Sequence, residues 1–72
     1  MTPKMTPVSS SNVAEVGYNK NKQEVYVRFL NGSLYVYKGV PQPEFEGLRN
    51  ATSVGSYLHR NYKNVYPYER IE

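Results

Sequence analysis

The sequence predicts an α+β domain, a three-stranded antiparallel β-meander with one or two short C-terminal helices packed on one face. Three observations carry this reading. Glu24 to Phe29 alternates, with Val25, Val27 and Phe29 on one side. Asn31-Gly32, the strongest short hairpin signal in the chain, separates that segment from the β-rich run Leu34-Tyr35-Val36-Tyr37. After Pro43 the apolar residues fall three and four apart, which is the period of a helix.

Residues 1–12 hold two Pro, two Thr and Ser9-Ser10-Ser11, and read as an extended lead-in. A single domain is expected over 13–66, followed by a tail, 67–72. Val13 to Tyr18 is the first strand expected, and Asn19-Lys20-Asn21-Lys22 is a polar turn. The second strand runs over Glu24–Phe29 and the third over Ser33–Tyr37. Gly39 and Pro41 end the third, because Pro has no N–H to give to a ladder. Pro43 suits the first turn of a helix, where a missing N–H costs nothing. Phe45, Leu48 and Ala51 make this a short helix of about two turns, weakened at Gly47. Thr52 or Ser53 can cap a second helix, in which Val54, Tyr57, Leu58 and Tyr62 form one apolar stripe. Residues 65–68 read as extended.

Composition narrows the function classes. The chain has 72 residues, no Cys and one His, so disulfides, thiolate metal sites and the usual His-rich zinc sites are excluded. It has no Asp, and six Glu stand against nine Lys and Arg, a net charge of +3. That balance favours an anionic partner without naming one. Eight of the ten aromatic residues are Tyr, which suits a half-wet surface. No apolar run is long enough to span a membrane, and residues 1–12 lack the apolar stretch of a signal peptide. A cytoplasmic protein with no membrane association is expected.

Which side chains share a face depends on the hairpin. A two-residue loop at Asn31-Gly32 sets Leu34 and Val36 opposite Phe29 and Val27, and puts Tyr35 and Tyr37 with Tyr26 and Arg28. A three-residue loop, Leu30-Asn31-Gly32, with Gly32 left-handed as a bulge, shifts the pairing by one. Tyr35 and Tyr37 then join Val25, Val27 and Phe29. Periodicity is compatible with both. In the bulged register, Tyr35→Ala is expected to destabilise more than Tyr26→Ala, because only Tyr35 then faces the core.

Two clusters are candidate binding residues. Tyr18, Tyr35 and Tyr37, with Tyr26, come from three neighbouring strands and can form a platform on which bases stack, with Arg28 adding cation–π or phosphate contact. The competing reading makes Tyr35 and Tyr37 core residues whose hydroxyls reach the rim. Ser53-Val54-Gly55-Ser56 stands at a helix start, where free N–H groups favour an anion. Ser9-Ser10 can close such a site. Arg60 and Lys63 lie about two to three turns further on and are expected to reach it from a neighbouring subunit or not at all. Ordinary capping is the competing reading here. No catalytic set is visible: there is no Cys or Asp, no Glu pair has acid–base spacing, and His59 reads as a solvated helix residue.

Val8-Ser9-Ser10-Ser11, Val16-Gly17-Tyr18, Val27-Arg28-Phe29, Gly32 and Tyr35-Val36-Tyr37 resemble the first half of the KTSC domain. Val40-Pro41, Ala51 to Tyr57 and Asn61-Tyr62-Lys63 resemble its second half. The family is named for a segment at the C-terminus of some lysyl-tRNA synthetases and also occurs as small stand-alone bacterial and phage proteins. The chain departs at Leu58-His59, where the family often has an aromatic followed by Asn. The resemblance favours the bulged register and implies a link to RNA.

The function expected is therefore non-catalytic binding of a nucleotide or nucleic acid, with no cofactor and no metal. It takes the form of an RNA-binding module or of a phage anti-defence sponge sequestering a cyclic nucleotide signal. The alternative is an interaction module whose Tyr-rich surface serves oligomerisation. A homo-oligomer is expected in either case, given the small core and the many aromatic rings.

Overall fold

The computed structural model describes residues 3–72. Five antiparallel strands, β1 (Met5–Pro7), β2 (Val13–Asn19), β3 (Glu24–Phe29), β4 (Leu34–Lys38) and β5 (Tyr68–Arg70), form one sheet in sequence order. Helices α1 (Gln42–Arg49) and α2 (Val54–Asn61) connect β4 to β5. The three strands expected from the sequence are its centre, and the expectation of three strands in all is corrected to five. The expected lead-in contains β1, and the tail contains β5; residues 1 and 2 of that lead-in lie outside the described residues. Both additional strands are three residues long and show no alternation that a sequence window can register. They exist because a neighbour offers them a ready ladder.

The hairpin adopts the bulged register. Val27 pairs with Tyr35 and Val25 with Tyr37. The Phe29 N–H donates to the Ser33 carbonyl and the Gly32 N–H to the Phe29 carbonyl, both at 2.9 Å. Gly32 has φ +93°, which glycine adopts without strain. A second irregularity, between Val13 and Glu15 of β2, turns Val13 inward opposite Phe29.

One face of the sheet carries Val13, Val16, Val25, Val27 and Tyr37, which pack with Phe45 and Leu48 of α1, Val54 and Leu58 of α2, and Val40 and Tyr62. This is the main core. Ser53 caps α2, its hydroxyl oxygen accepting from the Ser56 N–H at 3.4 Å. Pro43 lies in the first turn of α1. At Gly47 a Cβ would lie 2.5 Å from the Tyr57 hydroxyl oxygen, so this glycine allows the two helices to approach. The opposite face has its own small cluster, Tyr26, Leu34 and Val36, with Met5 against it. Tyr26 is only 9% exposed. The expectation that Tyr35 alone faces a core is corrected accordingly, since Tyr26 is buried in the opposite-face cluster while Tyr35 is only partly buried against the main core.

Candidate functional site

Two adjoining hollows lie beside α2. The first, about 410 Å³, is bounded by Phe29, Tyr35, Tyr37 and Tyr68 from the sheet, by Leu58, His59 and Lys63 from α2 and its end, and by Asn12, Asn31, Ser33 and Gly55. The second, about 420 Å³ and shallower, is bounded by Ser11, Asn12, Ser53, Gly55, Ser56, His59 and Arg60. They share Asn12, Gly55 and His59, so they meet across the first turns of α2.

The aromatic wall follows from the bulged register. Tyr35 stands edge-on to Phe29, with centroids 5.4 Å apart, and tilted to Tyr68 at 5.9 Å. Tyr37 lies 5.5 Å from Tyr68 on one side and 5.5 Å from Tyr62, in a T-shaped pair, on the other. Tyr37 is thus the hinge between core and hollow. Its phenol is pushed above the ordinary value of 10.0 by burial first, then by Tyr68 and Tyr35.

The join between the hollows depends on Gly55. A Cβ there would come within 2.5 Å of the Asn12 Oδ1, so the absence of a side chain lets Asn12 lie against the helix. Asn12 is held from the other side by Ser10, whose hydroxyl donates to Asn12 Oδ1 at 3.1 Å and accepts from the Val13 N–H at 3.2 Å. The rim is cationic. Lys63 and Arg60 stand at the first and second hollow, exposed His59 reaches both, and no Glu lines either among the described residues.

Of the residues singled out from the sequence, Tyr35, Tyr37, Ser53, Gly55, Ser56, Arg60 and Lys63 come together here. Two do not. Tyr18 stacks on Phe45, with centroids 5.1 Å apart and planes 14° apart, and its hydroxyl donates to the Val40 carbonyl at 2.7 Å. Arg28 lies on the opposite face of the sheet, where it donates to the Gly32 carbonyl at 2.9 Å and to Glu72 at 2.7 Å. Arg60 borders the hollow at the helix start within its own chain and Lys63 the adjoining one, where the expectation was reach from a neighbouring subunit or not at all. Arg60 follows Ser56 by one helical turn on the same side, and Lys63 lies just past the end of α2. The Ser9-Ser10 pair does not close the site; Ser11 and Asn12 do.

Sequence reasoning missed Asn12, Phe29, Asn31, His59 and Tyr68 as lining residues. Phe29 was legible, being on the same face as Tyr35 in the bulged register. Tyr68 was not, because β5 itself was not.

Among the described residues no group of three or more His, Asp or Glu gathers as a metal site, and no helix is long and apolar enough to cross a membrane. Comparison with known proteins places the chain. The KTSC domain model matches residues 9–66. A protein of Stutzerimonas stutzeri with no assigned function is 33% identical over 70 residues, covering 96% of this chain and 99% of its own. A lysine–tRNA ligase of Trichormus variabilis is 36% identical over 61 residues, of which this chain spans 11% of the length. The crystal structure of a KTSC domain protein from Yersinia pestis superposes with a TM-score of 0.89 at 27% identity, covering 96% of this chain and 97% of that one. Fold and sequence agree, and the chain belongs to the KTSC domain family.

Proposed function

We propose that this KTSC domain is a non-catalytic binder of a nucleotide or a short stretch of nucleic acid, held in the two joined hollows beside α2. The observation that carries this reading is the meeting of an aromatic wall with a cationic rim that no carboxylate interrupts. A base stacks on Tyr35 or Tyr68 in the first hollow, an interaction worth roughly 1–3 kcal/mol. The amides of Asn12 and Asn31 offer both donors and acceptors to a base edge. The phosphate lies toward Lys63, His59 and Arg60. Ser53 already caps the helix through Ser56, so the helix start adds little beyond its hydroxyls.

Size and charge favour a small ligand. Each hollow suits a small molecule rather than a polymer groove. A net charge of +3 supplies few of the phosphate contacts that a long nucleic acid needs. Sequestration of a cyclic nucleotide signal therefore fits better than binding of a long RNA. The lysine–tRNA ligase relative keeps a short RNA element in view.

Calorimetric titration against cyclic dinucleotides, mononucleotides and short RNAs tests the reading. Binding of at least one class is expected, weakened by Tyr35→Ala and by Lys63→Ala and unchanged by Arg28→Ala. Absence of affinity across the panel, or equal loss in the Arg28 variant, overturns it.

A further inference from the structure

The two edges of the sheet are not equivalent. At the β1 edge the Val8 N–H donates to the Ala14 carbonyl, which sets the alternation and turns Pro7 outward, where it has no N–H to offer. Proline at an outward position is a device that keeps an edge from pairing. The β5 edge has no such device. Lys38 donates to the Pro67 carbonyl and Ile71 to the Leu34 carbonyl, so the alternation turns the N–H and C=O of Tyr68 and Arg70 away from β4. Among the described residues these outward groups meet no partner strand. The side chains around them are open as well: Tyr68 is 56% exposed and Ile71 43%.

We infer that the β5 edge pairs antiparallel with the β5 edge of a second copy of this chain, joining two sheets into one. The short segment is self-complementary about Glu69. In that register Tyr68 and Arg70 lie opposite each other, on the same side of the sheet as the aromatic wall, so each copy sets a guanidinium against a phenol ring. Pro67 falls opposite Ile71, an apolar pair. Glu69 falls opposite its equivalent, and in each copy the Lys38 ammonium, 3.5 Å from the Glu69 carboxylate, offsets the repulsion. The partner's Arg70 arrives beside Tyr68, which bounds the first hollow, and adds a cation to that rim. The pairing does not depend on whether the hollow takes a nucleotide.

Sedimentation equilibrium of the full chain with and without Arg70→Pro tests this. Arg70 donates no N–H to β4, so proline there removes the outward donor together with the guanidinium, its bond to the Glu72 carbonyl included, and leaves the β4–β5 ladder intact. The wild-type chain is expected at twice the 8.3 kDa of one copy, and the variant at one copy, still folding cooperatively but with a melting temperature that no longer rises with concentration. A charge-reversing Arg70→Glu keeps the test decisive if the proline variant does not fold; it is expected to weaken the dimer about tenfold through two symmetric contacts. A wild-type monomer at high micromolar concentration overturns the inference, as does a dimer undiminished in whichever variant folds. Nucleotide titration of the monomeric variant, whose hollows are intact, reports separately on the binding reading.

Discussion

Tyr18 and Tyr68 stand at opposite ends of one row across the sheet, in which Tyr18 pairs with Val25, Val25 with Tyr37, and Tyr37 with Tyr68. They share residue type, face and level, yet their surroundings are opposite. Tyr18 is covered by Phe45 of α1, and its hydroxyl is used by the Val40 carbonyl. Tyr68 leans on Tyr35 and Tyr37 with its outer side in solvent. The difference comes from what packs above each end. The chain leaves β4 through Gly39 and Val40 and lays α1 over the β2 end, whereas above β4 and β5 stand only α2 and the turn after it. A tyrosine is sealed where a helix side chain packs flat on its ring, as Phe45 does on Tyr18, and stays open to solvent where none does.

The largest test of this comparison lies at its midpoint. Tyr62 is fully buried and packs on Tyr37 and Tyr66, so Tyr62→Ala is expected to cost about 3–5 kcal/mol in a denaturant melt. Less than about 1 kcal/mol would mean that the helices hold less firmly than the packing implies. The direct test is the pair of ends. Tyr18→Ala is expected to cost about 2–3 kcal/mol, and Tyr68→Ala under about 1 kcal/mol while removing most nucleotide affinity. Equal losses of stability would erase the distinction between the two ends.

Alkaline pH reads the buried phenols, Tyr62 foremost. Burial pushes the Tyr62 phenol well above its ordinary 10.0, and the Glu44 carboxylate adds to this. Tyr57 is raised first by hydrogen bonding toward Glu44, then by burial. A raised folded value means that the unfolded chain loses its proton first. Stability is therefore fully present below about pH 10 and falls above it, by about 1.4 kcal/mol per pH unit for the Tyr62 phenol alone. Thermal melts from pH 8 upward check the sign; a stability that rises with pH in that range contradicts the burial of Tyr62.

The smaller effects sharpen the other end. Ser53→Ala is expected to cost roughly 0.5–1 kcal/mol, the lower part of the capping range, because the cap to Ser56 is long at 3.4 Å. Gly55→Ala gains helix propensity but displaces Asn12, so stability is expected to change by less than about 1 kcal/mol. Nucleotide binding should nonetheless weaken, because Asn12 joins the two hollows. Unchanged affinity in that variant would separate the hollows functionally.

Local signals carried the centre of the fold. Glu24 to Phe29 announces a strand because alternate side chains meet different faces, and Pro43, Ser53 and the stripe from Val54 to Tyr62 announce helices because capping and periodicity are local. The same logic failed at Met5–Pro7 and Tyr68–Arg70, where three residues carry too little pattern and the neighbouring strand provides the order. Within the site, Tyr35 and Tyr37 were legible as a pair, whereas Arg28 shares their face only in the two-residue register, which the hairpin does not adopt. Arg60 and Lys63 were misjudged in reach, because distance along a helix was used where position around it decides.

The sequence by itself determined the element types of the central strands and both helices, the absence of thiol chemistry and the basic balance, all of which are properties of composition or of residues within one turn of each other, and its resemblance along nearly the whole chain gave the family. It left the hairpin register open, since a two-residue and a three-residue loop satisfy Asn31-Gly32 equally well. The tertiary structure decided that register, and with it the side of the sheet on which Tyr35 and Tyr37 stand. It also decided that Tyr18 is sealed while Tyr68 is open, and that one edge ends in proline while the other presents free backbone groups. These outcomes rest on contacts between residues far apart in the chain, such as Tyr18 with Val40 and Tyr35 with Tyr68, where the free energy of closing over a surface belongs to both partners and is written in neither segment alone.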